Sequence, residues 1–232
     1  MANYTTYEIG GGKLPDRSNQ TVTAVRLKAM SKLIVYYAHP AHHYSHANRE
    51  MAAVAAAAEG ITFVDLYGDY PRFDIDADIE QQRLTDHDVV LLQFPMFWYS
   101  TPSILKEWQD LVLEHGFAYG SGGDKLEGKR MMIAVSCAGP EDAYSAGGYQ
   151  HYSVREFLRP LEQTARLCGM SFAAPYVLFD ALKAPEDGRL ASHVESYKKL
   201  LLAIRDDRYD WDAADGCDVV QYGALPIKEE GQ

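Results

Sequence analysis

The segment 88–94, Asp-Val-Val-Leu-Leu-Gln-Phe, constrains this chain most. Its apolar residues run together instead of alternating with polar ones. That pattern fits a strand buried on both faces, as at the centre of a parallel sheet. A parallel sheet needs crossover helices, and the rest of the chain supplies them. Strands are expected at 32–37, 61–66, 88–94, 129–136 and 171–179. Helices are expected at 47–58, about 76–84, 103–114, 153–168 (with Pro160 inside it) and 186–204. Gly60 stops the Ala-rich first helix.

This alternation implies one α/β domain over 31–205, with helices on both faces of a five-stranded sheet. Residues 1–30 read as an N-terminal extension and 206–232 as an irregular acidic tail. A length of 232 residues with 47% hydrophobic residues suits one such domain with a sizeable core.

The 33 acidic against 22 basic residues give a net charge of −11. Such a surface repels phosphate backbones and anionic lipid, so no nucleic-acid partner is expected. An anionic ligand would be held by local dipoles and hydrogen bonds. Cys137, Cys168 and Cys217 are far apart and form no C-x-x-C, as suits a reducing cytoplasm. The first 30 residues show no apolar signal core, and no run is long enough to span a bilayer, so a cytoplasmic protein is expected. The sequons at Asn3 and Asn19 then carry no meaning. Most of the 16 tyrosines are expected to be packing residues.

In open α/β sheets ligands bind beyond the carboxyl ends of the strands, where strand order reverses. The loops after strands one, three and four are also the least routine here. The first contains His39, His42, His43, Ser45, His46, Ala47 and Asn48. Ser45 is placed to cap the next helix, whose positive end suits a phosphate. The four histidines lack carboxylate or thiol company, so a phosphate cradle outweighs a metal site or a purely structural loop. The second loop contains Pro95, Met96, Phe97, Trp98 and Pro102. It reads equally as a platform for a flat ring or as a hydrophobic plug on a helix end. The third contains Ser136, Cys137, Ala138 and Gly139, whose small size admits close backbone approach. Tyr144, Tyr149 and His151 follow as proton donors. The run Gly123-Asp-Lys-Leu-Glu-Gly-Lys-Arg130 imitates a P-loop but lacks its Ser/Thr and precedes a strand. No G-x-S-x-G elbow occurs.

Taken in order, the stretches Tyr37-Ala-His-Pro, Ser45-His-Ala-Asn, Pro95-Met-Phe-Trp, Pro102-Ser-Ile-Leu-Lys-Glu-Trp-Gln-Asp and His115-Gly-Phe-Ala-Tyr-Gly form a specific combination. The chain from Lys32 to about Arg205 resembles the flavodoxin-like NAD(P)H quinone reductases. It is especially similar to the ancillary flavoproteins of glutathione-gated potassium-efflux systems. The resemblance implies a three-layer doubly wound sheet of order 2-1-3-4-5. It implies FMN or FAD held non-covalently by His39, Ser45, His46, Ala47, Asn48, Pro95, Met96, Phe97, Trp98, Ser136, Cys137, Ala138 and Gly139, with Tyr144 also at the ring.

The implied reaction is ping-pong, with hydride passing from NAD(P)H through the flavin to a quinone-type acceptor. A homodimer with each site near the interface is implied as well. Relatives place a tyrosine and a histidine after the fourth strand. Tyr144 matches the first, whereas the second position holds Gln150 with His151 beside it. Tyr144 and His151 are therefore the expected catalytic pair. The alternative is a regulatory flavoprotein that activates a potassium-efflux transporter, peripheral at the inner membrane through that partner. A plain electron carrier is disfavoured by the aromatic second loop.

Overall fold

A computed structural model describes residues 30–228. Apart from Met30, the expected N-terminal extension lies outside the described residues, as do residues 229–232. Strands β1 (Leu33–Tyr37), β2 (Ile61–Asp65), β3 (Val89–Pro95) and β4 (Arg130–Ser136) lie in the order β2-β1-β3-β4. Two short strands, β5 (Ser171–Phe172) and β6 (Tyr176–Leu178), both pair with β4, and every pairing is parallel.

The expected fifth strand is thus one strand interrupted. Between its two registered pairs, Met131↔Phe172 and Ala134↔Tyr176, β4 advances three residues and its neighbour four. The extra residue makes a bulge next to Pro175, which has no N–H for the ladder.

The described helices are α1 (Ala47–Ala57), α2 (Leu66–Asp69), α3 (Ala77–Asp86), α4 (Ser103–Val112), α5 (Val154–Phe157), α6 (Arg159–Leu167), α7 (Arg189–Arg205) and α8 (Trp211–Asp215). The helix expected at 153–168 is broken at Leu158. Ser153 and Glu156 start α5 with a reciprocal capping box, and Pro160 falls in the first turn of α6, where a missing N–H costs least.

Strand β3 is buried along its whole length. Val90, Leu92 and Phe94 join the core against α3 and α4, whereas Val89 and Leu91 join the opposite core with α1 and α7. The first core contains a buried carboxylate. Glu80 on α3 accepts hydrogen bonds from Tyr70 Oη (2.7 Å), Trp108 Nε1 of α4 (3.2 Å) and Arg83 (2.6 Å).

The stretch from 206, expected to be an irregular tail, is packed. Tyr209, Ala214 and Val220 are buried in the second core. Val220 N–H donates to Pro175 O (2.8 Å) and its carbonyl accepts from Val177 N–H (2.9 Å), so the segment covers the open edge of β6. The overall acidity of these residues hid the buried apolar positions spaced among them.

Candidate functional site

The strand order reverses between β1 and β3, and a cavity of about 320 Å³ opens at their carboxyl ends. Three loops meet there. The first contributes His39, Ser45, His46, Ala47 and Asn48, the second Pro95, Met96 and Phe97, and the third Ser136, Cys137 and Ala138. Among the described residues no Asp or Glu lines the wall, although the chain carries a net charge of −11. The cavity is therefore locally permissive to an anion.

Ser45 shapes the first loop. Its Oγ accepts from Asn48 N–H at 3.2 Å, leaving the positive end of α1 at the cavity wall. Asn48 Nδ2 donates to Ser136 Oγ (2.7 Å), and Gln93 Nε2 donates to Asn48 O (3.0 Å). Tyr197 Oη in turn donates to Gln93 Oε1 (3.0 Å). This buried chain locks α1, β3, β4 and α7 together under the cavity floor. It leaves one group over: Asn48 Oδ1 is buried without a hydrogen-bond partner among the described residues. A buried amide oxygen left unsatisfied costs about 1–3 kcal/mol, so a donor on a ligand would be well received here.

His39 is buried, and burial, reinforced by nearby His42, lowers its pKa to about 4. Its Nδ1 accepts from Ala41 N–H (3.1 Å). The ring is therefore neutral at pH 7 with its proton on Nε2, a hydrogen-bond donor. Cys137 is buried, and its thiol is pushed up to about 12, so it is not a nucleophile at neutral pH. The histidines do not converge on one point: His42 Nδ1 bonds Tyr37 Oη (2.9 Å), while His43 and His46 are exposed.

The second loop is a tight turn. Phe97 and Ser100 exchange both backbone hydrogen bonds (3.1 and 3.0 Å), and Trp98 and Tyr99 between them have φ of 49° and 64°. Two consecutive positive φ values are the signature of a type I′ turn, normally built from Asn and Gly. Side chains there cost about 1–3 kcal/mol each, strain that concentrates at functional sites. The turn holds Trp98 outward, 93% exposed, so Trp98 stands at the rim and not in the wall.

Gly139, Tyr144 and His151 also lie outside the wall. A side chain on Gly139 would meet Tyr149 Oη at 2.7 Å and Tyr144 Cε2 at 3.2 Å, so glycine lets both tyrosines close on the backbone. Tyr144 packs on Phe157 and Phe179, and its hydroxyl is raised to about 12, chiefly by burial and then by Cys137. It stays protonated and able to donate. His151 is exposed and adopts φ 64°. The wall also includes Ala41, Tyr44, Ala181 and Leu182, which sequence reasoning missed. The last two follow β6, whose carboxyl end borders the site because β6 pairs with β4. Their only sequence signal is that position after a strand.

Comparison with known proteins agrees with this architecture. The sequence model of the family described as "Flavodoxin-like fold" matches residues 31–201. An uncharacterized NAD(P)H oxidoreductase, YrkL, of Bacillus subtilis is 42% identical over 151 residues, 65% of this chain and 87% of its own length. The glutathione-regulated potassium-efflux system ancillary protein KefG of Cronobacter sakazakii is 41% identical over 171 residues, 74% and 92% of the two chains.

Among solved structures, general stress protein 14 of Treponema denticola in complex with FMN is 33% identical with a TM-score of 0.67, covering 76% of this chain and 98% of that one. An NADPH-quinone reductase from P. pentosaceus is 26% identical with a TM-score of 0.63, covering 73% and 96%. With its parallel sheet of order 2-1-3-4-5, its cavity at the switch point and a family match over most of its length, this chain belongs to the flavodoxin-like family.

Proposed function

We propose that the protein is a flavin-dependent NAD(P)H:quinone oxidoreductase whose flavin is FMN. The observation that carries this reading is the cavity at the switch point, lined by no Asp or Glu of the described residues and including Asn48, whose buried Oδ1 has no partner among them. The FMN complex of a 33% identical protein with the same fold supports the choice.

Bound flavin supplies the hydride chemistry that no side chain here offers. The protein binds and orients. Ser45, His46 and Ala47 at the start of α1 would hold phosphate, with Asn48 beside them in the wall. Pro95, Met96 and Phe97 lie beside Ser136, Cys137 and Ala138, Met96 N–H donating to Ser136 O (2.9 Å), and together these residues would hold the flat ring, with Trp98 at the rim and Gly139 at the turn. His39 donates from Nε2. Tyr144 donates its retained proton toward developing negative charge, with His151 beside it on the same loop. NAD(P)H and then a quinone-type acceptor use the open side in turn.

The test is direct. The purified full-length chain mixed with FMN is expected to turn yellow and to oxidise NAD(P)H with a quinone. Absence of flavin binding would overturn the reading. Tyr144→Phe is expected to lower quinone reduction roughly a hundredfold while FMN stays bound, the loss of one proton donor; unchanged turnover would remove Tyr144 from the reaction.

We also assign a homodimer. Trp98, Tyr99, Tyr149, Tyr152 and Leu182 are exposed around the site, an apolar patch that suits a second copy. Trp98→Asp is expected to shift sedimentation from dimer to monomer; a wild-type monomer would contradict the assignment.

The KefG relative supports a second reading, a regulatory subunit of a potassium-efflux transporter, with the protein cytoplasmic and peripheral at the membrane. Among the described residues no helix is long and apolar enough to cross a membrane. Co-purification with a transporter of that class would favour this reading over the enzyme alone.

A further inference from the structure

The family match ends at residue 201, and the packed segment 206–228 follows it. Residues 217–221 of this segment contact the third loop and the helix after it. Val220 is tied to the sheet by its two backbone hydrogen bonds with Pro175 and Val177, which makes it a rigid anchor. On one side of that anchor, Gln221 Nε2 donates to Glu141 Oε1 at 2.7 Å. On the other, Cys217 O accepts from Arg155 Nη1 at 3.2 Å.

These two contacts grip both ends of the third loop. Glu141 opens the single turn Glu141–Ala143 that leads directly into Tyr144, and Arg155 lies in α5, where the loop ends. The loop spans 137–153, longer than the roughly 15 residues that compact domains usually leave without regular structure. Inside it the backbone is pinned by Tyr144 N–H to Glu141 O (3.0 Å) and Gln150 N–H to Ala143 O (3.1 Å). The start of the loop is placed by Ala181 N–H to Cys137 O (2.9 Å) and Asp180 N–H to Gly139 O (2.8 Å), and Tyr144 by Phe157 and Phe179; the contacts at Glu141 and Arg155 add a hold on the stretch between.

We propose that residues 217–221 form a strap that steadies the third loop beside the cavity, and that Gln221 is the positioning residue for Tyr144. Gln221 touches neither cofactor nor substrate in this scheme; it acts through Glu141. The consequence for ligand binding rests on the flavin reading, whereas the consequence for loop order does not.

The test uses the full-length chain and the variant Gln221→Glu, which sets a second carboxylate against Glu141. In the flavin-free protein, amide exchange at residues 143–151 is expected to rise about threefold, the scale of one exposed polar contact. In the FMN-loaded protein, the dissociation constant for FMN and the KM for NAD(P)H are expected to rise by a similar factor. Adding Glu141→Gln exchanges donor and acceptor, and should restore both the exchange rate and the affinity.

Wild-type exchange in Gln221→Glu would overturn the strap, and so would a double variant that restores nothing. The two proposals fail separately. Exchange that responds as expected in a chain that never binds FMN leaves the strap and removes the flavin. Normal FMN binding with unresponsive exchange does the reverse.

Discussion

Glu80→Leu is expected to destabilise the protein by about 3 kcal/mol, the lower end for removing one partner from a buried ionic group. For a chain of this size that lowers Tm by roughly 10 °C, measurable by calorimetry. The reason is the number of donors that converge on one carboxylate. Tyr70 Oη and Trp108 Nε1 are buried and would lose their acceptor. Each such orphan costs about 1–3 kcal/mol. Arg83 is partly exposed and retains Asp69 at 3.4 Å, so it moderates the loss.

Because Trp108 anchors α4, and α4 begins just beyond the strained Phe97–Ser100 turn, the variant should also loosen the second wall of the cavity. A Tm within about 2 °C of wild type would show that the network is dispensable.

Acid should unfold the protein earlier than its carboxylates alone would, through His193. This residue on α7 is fully buried, stacks on Tyr176 with ring centroids 4.4 Å apart, and has no partner among the described residues on either ring nitrogen. Burial, helped by the charge of Arg189, lowers its pKa to about 3. The folded state thus keeps the ring neutral, while the unfolded chain binds a proton below about pH 6.5. Stability from this group is complete above pH 6.5 and drains as pH falls, by about 1.4 kcal/mol per unit well below that value. At pH 5 the loss is about 2 kcal/mol by the same relation. His39, lowered to about 4, acts in the same direction.

His193→Phe keeps a ring on Tyr176 and removes the proton. Denaturant titrations from pH 8 to pH 5 should show the variant losing about 2 kcal/mol less stability than wild type. Parallel curves for the two proteins would contradict the assignment.

Much of this was legible in the sequence, for a physical reason. Strand and helix periods are local, and a both-face-buried strand such as β3 must be continuously apolar wherever it sits. Parallel strands put their carboxyl ends on one side, so the three loops after strands one, three and four were bound to meet. Ser45 capping α1 is likewise a contact over three residues, readable from spacing.

What stayed hidden depends on residues far apart in sequence. The bulge at Pro175 and the break at Leu158 had local signals in the prolines and the Ser153–Glu156 capping box, whereas the packing of 206–228 turns on neighbours that no local pattern names. The same holds inside the loops. The residue string placed Trp98 among the ligand residues, but a two-residue turn with positive φ decides that it faces outward. It also gave no hint that Asn48 would spend its amide nitrogen on Ser136, 88 residues away, and keep its oxygen free. Local chemistry and periodicity set the elements and the side on which a ligand binds. Only tertiary packing decides which polar atoms are left unsatisfied, because satisfaction depends on partners brought together by the fold.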